Sequence, residues 1–150
     1  MLPLSRRSRL VIRVHRDDSD EVTRITNKTL QIGSQQLAVG ESAIRKLSTI
    51  STLYARAVSC DRDQSEADFL AQVAELLGAM NIRVSKMICG KSGEIRTGGE
   101  TIFTRALLVA DLDPAESVTL QQLGLGEDQM LGCGLFVPHK GIDAVHNVQE

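Results

Sequence analysis

The chain has 150 residues, 42% hydrophobic, 24% charged and only 3% aromatic, with no Trp and a formal net charge of −2. That size holds one ordinary domain or two small ones around an aliphatic core, and no apolar run reaches the ~20 residues of a membrane span. The three Cys lack a C-x-x-C pair and the three His lack ligand spacing, which argues against a metal or disulfide framework.

Met1–Arg7 has no apolar signal-peptide core, so the cytoplasm is the expected compartment, with no membrane partner. Arg6, Arg7 and Arg9 open a basic stretch. Of the 17 Lys and Arg, 16 fall within residues 1–105, against 12 of the 19 Asp and Glu. A chain that is acidic overall can still carry one basic face. Arg9–Val14 alternates Leu10, Ile12 and Val14 with Val11 and Arg13 and predicts a strand. Residues 17–27 predict a helix, with Asp17, Asp18, Asp20 and Glu21 suiting its first turn. Leu30–Ile32 and Gln35–Val39 flank Gly33-Ser34 and predict a hairpin. Residues 40–52 are rich in Ser and Thr and include Arg45-Lys46. A boundary is expected there, between domains 1–47 and 48–150.

Leu53–Cys60 predicts a strand. Ser65 caps a helix, with Asp68 three residues on, and Phe69, Leu70, Val73, Leu76, Leu77 and Met80 share one helical face. Ile82–Ile88 and Ile102–Ala110 predict two strands, with residues 90–99 as their hairpin tip. Asp113-Pro114-Ala115-Glu116 supplies N-cap, N1 proline and N3 glutamate for a second helix. Gly124 ends it, with Leu125 as the apolar follower, and Leu135–Pro138 is the closing strand. Strand, helix, strand, strand, helix, strand is the ferredoxin-like order, a frequent RNA platform. The first half supplies only strand, helix and strand. The expected class is α+β, with tandem ferredoxin-like domains of which the first is incomplete.

Gly124-Leu125-Gly126 and Gly132-Cys133-Gly134 put four glycines into eleven residues. That density implies positive φ or a backbone that something approaches closely. The loop runs from helix to strand, opposite to the phosphate loops of nucleotide cofactors, and Gln129 breaks G-x-G-x-x-G, so no cofactor is expected. A loop lying along a nucleic-acid backbone fits better, because bare N–H groups reach phosphates.

On four stretches the chain resembles the CRISPR-associated repeat-RNA endoribonucleases of the RAMP superfamily, in their MYXAN-type I branch. The stretches are Ser8–Arg13, Thr29–Gly33, Thr52–Arg56 and, above all, Leu120–Gly126 running through Met130–Pro138. The resemblance implies tandem ferredoxin-like (RAMP or RRM-like) domains that bind the stem-loop of CRISPR repeat RNA, with other subunits of a CRISPR effector complex as further partners. It implies metal-independent cleavage of precursor CRISPR RNA into guide RNA for antiviral defence. A ribose 2′-hydroxyl attacks the adjacent phosphate and leaves a 2′,3′-cyclic phosphate. Family members usually carry the catalytic His in an Asp-His-Gly-Tyr-like segment of a longer N-terminal half. No such segment occurs here, so the chain is expected to be N-terminally incomplete, and the catalytic base stays unassigned.

The expected RNA-binding residues are Gly124, Gly126, Gly132 and Gly134 in the loop, Lys86, Lys91, Arg96 and Arg105 on the hairpin, and Arg6, Arg7 and Arg9 at the start. The bland readings are a tight packing turn, a solvated basic loop and a solvated arginine cluster. Exchange of Gly132 and Gly134 for Val is expected to weaken RNA binding and leave the fold mostly intact. Arg45-Lys46 and His139-Lys140 are weaker candidates, and Tyr54 reads as a half-buried strand aromatic before a base-stacking one. The rival functions are a non-catalytic RNA-holding subunit and a ferredoxin-like module that binds a small regulatory molecule.

Overall fold

Hydrogen-bond partners decide which apolar stretches become strands. The computed structural model describes residues 9–140. The chain divides into two units, Met1–Lys46 and Leu47–Glu150. In the first unit, β1 (Thr29–Ile32) and β2 (Gln35–Ala38) form an antiparallel hairpin around Gly33, which has φ 59°. A 3-10 turn, Arg16–Asp18, leads into α1 (Ser19–Thr23).

Two expectations are corrected in this unit. Arg9–Val14 forms no strand, because none of the described strands pairs with it, and Val11 stays 83% exposed. The helix expected over 17–27 shrinks to α1. Val22, Thr23, Ile25 and Thr26 are β-branched, no residue of α1 is buried, and Asn27 turns to φ 59°. A short helix without a packed face has little to hold it.

The second unit runs β3 (Leu53–Cys60), α2 (Glu66–Ala79), β4 (Lys86–Thr97), β5 (Glu100–Ala110), α3 (Pro114–Leu123) and β6 (Phe136–Pro138). Its sheet has the order β4-β5-β3-β6, and every neighbouring pair is antiparallel. This is the α+β ferredoxin-like arrangement. Local chemistry sets the helix ends. The Ser65 hydroxyl accepts from the Asp68 N–H at 3.1 Å. Asp113 and Glu116 close a capping box at 2.8 and 3.0 Å.

The start of β4 differs from expectation. At the end of α2 the Ile82 N–H donates to the Leu77 carbonyl and the Asn81 N–H to the Gly78 carbonyl, with Asn81 at φ 59°. That is a Schellman stop. Ile82 is its buried apolar follower, so the strand begins only at Lys86. It then runs straight through the expected hairpin tip to Thr97, leaving Gly98-Gly99 as the turn. A bulge between Cys89 and Ser92 takes up the extra residue. Gly90 and Gly93 lie against β5, where an added Cβ would stand 3.0 Å from Ala106 Cβ and 3.2 Å from Thr104 Oγ1.

Leu53, Ala55 and Val58 of β3, Leu107 and Val109 of β5 and Phe136 of β6 form one core with Phe69, Val73 and Leu77 of α2 and Leu120 of α3. Each large side chain buried there contributes about 1.5–3 kcal/mol. Side chains alternate along a strand. The face left open by both helices therefore carries Ile88, Leu108, Tyr54 and Val137, which are successive cross-strand partners.

Candidate nucleic-acid interface

The four glycines of the loop divide by burial. Gly124 and Gly134 are buried, whereas Gly126 and Gly132 are exposed. All four have positive φ, from 64° to 91°. Gly134 sits where the loop crosses itself. Its carbonyl accepts from the Leu125 N–H at 3.0 Å, and its N–H donates to Ala57 of β3 at 2.7 Å. A Cβ on Gly134 would fall on the Leu125 carbonyl oxygen. A Cβ on Gly124 would come within 2.9 Å of the Gly134 carbonyl oxygen. The expectation that Gly134→Val spares the fold is therefore corrected. Gly124 and Gly134 serve packing, and the solvent-facing part of the loop is 126–132.

Two side chains outside the sequence expectation shape that part. Gln129 Nε2 donates to the carbonyls of Leu123 at 3.0 Å and Gly126 at 3.3 Å. Ser59 Oγ donates to the Glu127 carbonyl at 3.2 Å. A trans peptide points its N–H opposite to its C=O. With the Gly126 and Glu127 carbonyls turned inward, the N–H groups of Glu127 and Asp128 turn outward. The N–H groups of Gly126, Glu127 and Asp128 donate to no protein atom among the described residues. Successive free N–H groups beside left-handed residues form an anion-binding concavity. The side chains of Glu127 and Asp128 work against an anion there. Gln129 and Ser59 carry no sequence signal for this role, since it depends on the tertiary crossing.

The expected cations do not gather at the loop. Lys86, Lys91 and Arg96 lie on β4, one edge of the sheet, and the loop lies at the opposite edge beside β3 and β6. Three inter-strand spacings, ~14 Å, separate the two edges. Lys86 pairs with Asp111 at 3.0 Å and Arg96 with Glu94 at 3.4 Å, both exposed. Exposed pairs of this kind are weak. Lys91, at the bulge, is exposed. Arg105 is half-buried, and its guanidinium donates to the Gln64 carbonyl at 2.7 Å, which gives it a structural role. Arg9 is exposed, and Arg6 and Arg7 lie outside the described residues.

Lys86 holds the Asp111 carboxyl below the ordinary aspartate range through its hydrogen bond, and Ser85 adds to the effect. Burial pushes the Cys60 and Cys133 thiols up, with Arg105 opposing the shift at Cys60. No cluster of His, Cys, Asp and Glu fit to hold a metal occurs among the described residues. His15 Nδ1 lies 3.3 Å from Asp17 Oδ2. The His139 ring lies 5.8 Å from that of Tyr54. No helix of the described residues is long and apolar enough to cross a membrane.

Gln121 belongs to the stretch Leu120–Gly126 that carries the family resemblance, and the structure gives it a packing role. It is buried, accepts from the Ser48 N–H at 3.2 Å and donates to the Ser48 carbonyl at 2.7 Å.

Fold and loop together define a ferredoxin-like domain closed by a glycine-rich loop with outward N–H groups. A family model described as Cas6 Crispr matches residues 1–141. The chain belongs to this CRISPR-associated family. It is similar to the CRISPR-associated endonuclease Cas6 of Myxococcus xanthus (strain DK1622), at 27% identity over 114 residues, which cover 76% of this chain and 49% of that protein. The chain thus spans about half the length of the curated relative it matches.

Proposed function

We propose that this chain binds the stem-loop of CRISPR repeat RNA and serves the metal-independent conversion of precursor CRISPR RNA into guide RNA. The observation that carries this reading is the run of N–H groups at Gly126, Glu127 and Asp128 that donate to no protein atom among the described residues, on a chain of the Cas6 family. Phosphate oxygens are the ligands such groups fit. The cations of β4 supply a second line of phosphate contact at the far edge of the sheet. The reaction needs a base at the 2′-hydroxyl, an acid at the 5′-oxygen and a charge stabiliser at the phosphorane. The base, acid and stabiliser stay unassigned, and this reading gives the described residues the role of holding the RNA.

The test is incubation of the purified chain with a labelled repeat hairpin in excess chelator, with gel shift and cleavage read together. Binding that falls with salt at a slope of about −0.9 per duplex phosphate contact supports the reading. Cleavage to a cyclic-phosphate end would place the catalytic groups within this chain, and binding alone would make it the holding component. A hairpin that stays unbound at low salt overturns the proposal.

A further inference from the structure

The open face of the sheet is neither the glycine loop nor the β4 edge, but it lies between them. A nucleotide site on this face rests on the proposed RNA-binding function. Tyr54 and His139 meet on this face, Tyr54 in β3 and His139 one residue beyond β6. Their ring centroids are 5.8 Å apart and their planes tilt by 49°. The backbone fixes that meeting, since Val137 is the cross-strand partner of Tyr54 and the His139 N–H donates to the Thr52 carbonyl at 3.0 Å. Tilted planes form an open notch, unlike an offset stack in which each ring covers the other. His139 is exposed and Tyr54 half-buried.

Apolar side chains flank the notch, Leu108 on β5 and Val137 on β6, both cross-strand partners of Tyr54. Two cations stand close in sequence. Arg56 lies two residues beyond Tyr54, at the β3 bulge, and Lys140 follows His139. Both are exposed, and neither makes an ion pair with the described residues. A tilted ring pair among apolar side chains, with cations close in sequence, matches a nucleobase and its phosphates. A partner without negative charge would use the apolar row but would leave both cations unmatched.

We infer that the open sheet face holds an unpaired nucleotide of single-stranded RNA, its base stacked at Tyr54–His139 and its phosphates met by Arg56 and Lys140. The hairpin, by contrast, is read at the loop and the β4 edge.

Tyr54 is the only Tyr and the chain has no Trp, so intrinsic tyrosine emission reports this site alone. The probe is hexauridylate, titrated against the whole chain at low salt, with anisotropy of the labelled oligonucleotide read in parallel. Emission falls as hexauridylate binds. Tyr54→Ala weakens its binding roughly 5- to 160-fold, the range for one lost stacking contact, and Tyr54→Phe keeps most of it. His139→Ala, at an exposed position, weakens it too and covers the case in which Tyr54→Ala misfolds. Both variants bind a blunt-ended repeat hairpin like the parent.

Hexauridylate binding with unchanged emission, or with unchanged affinity in both alanine variants, overturns the inference. Hairpin binding without hexauridylate binding overturns it and leaves the proposed function standing. Hexauridylate quenching without hairpin binding does the reverse. Self-association that Tyr54→Ala abolishes, with hexauridylate unbound, would make the face a protein interface and overturn the nucleotide site.

Discussion

Gly134→Ala is the substitution with the most tightly determined outcome. Gly134 has φ 64°, a region that costs an L-residue roughly 1–2 kcal/mol. The added Cβ would fall on the Leu125 carbonyl oxygen and lie 2.8 Å from Leu125 C and 3.0 Å from Leu125 N, so the backbone itself must move. Movement breaks the Leu125–Gly134 bond at 3.0 Å and the Gly134–Ala57 bond at 2.7 Å. Leu125 and Gly134 are buried, so each broken bond costs about 1–3 kcal/mol if its groups stay unpaired. The sum is roughly 3–8 kcal/mol, against about 5–15 kcal/mol for a whole domain.

Gly132→Ala is the matched control. Gly132 also has positive φ, at 91°, but no atom stands within 4 Å of an added Cβ. Only the conformational cost of roughly 1–2 kcal/mol remains. Thermal unfolding followed by far-ultraviolet circular dichroism separates the two. Gly132→Ala melts cooperatively, about 4–15 °C below the parent. Gly134→Ala melts at least about 12 °C below it, or shows no cooperative transition. A Gly134→Ala melt equal to or above that of Gly132→Ala would refute the crossing and the division of the glycines into packing and solvent-facing pairs.

Removing the loop's two carboxylates with Glu127→Gln and Asp128→Asn tightens repeat-hairpin binding, by roughly 2- to 10-fold at low salt, with the gain fading as salt screens it; filter binding at two salt concentrations reads this, and weaker binding refutes an anion at those N–H groups. Gln121→Ala leaves the Ser48 N–H without its partner and the Ser48 carbonyl with only the Ser117 hydroxyl at 3.3 Å, so the urea midpoint falls by the equivalent of about 1–3 kcal/mol at unchanged slope, and an unchanged midpoint refutes the clamp. Lys86→Ala removes the hydrogen bond that depresses Asp111. A depressed carboxyl adds stability above the ordinary aspartate range and loses it as pH falls through the depressed value, so the small melting gap between parent and variant closes in acid. A gap that widens in acid would show the sign to be wrong.

Helix starts were legible because their chemistry is local. Ser65 with Asp68, and Asp113-Pro114 with Glu116, form the caps that their spacing predicts. Strand limits were not, because pairing is decided by residues far along the chain. Ile82 has the composition of a strand residue, yet it completes the stop of α2, and Arg9–Val14 has strand alternation without a strand to pair with. Glycine was the most ambiguous letter. Gly90 and Gly93 read as a hairpin tip and prove to be places where β4 lies close against Ala106 and Thr104. At both sites the sequence signal was the same absence of a Cβ, and only the opposing strand distinguishes a turn from a close approach.

The interface shows the same limit more sharply. The density of glycine correctly marked 124–134 as a special backbone, but which glycines face solvent depends on Leu125 and Ala57, and neither has a local signature. Positive charge was a weaker guide still. Arg105 counted equally with Lys91 in the sequence, yet one holds the Gln64 carbonyl and the other stands exposed at a bulge. Charge in a sequence states what a side chain can neutralise, and the fold decides whether a carbonyl or carboxylate of the protein has already claimed it. The backbone N–H groups of 126–128 are the complementary case. They are invisible as letters, and the fold exposes them by turning the carbonyls of Gly126 and Glu127 onto Gln129 and Ser59. Losing either side chain should therefore loosen the array of N–H groups, and Gln129→Ala should weaken hairpin binding without changing the net charge.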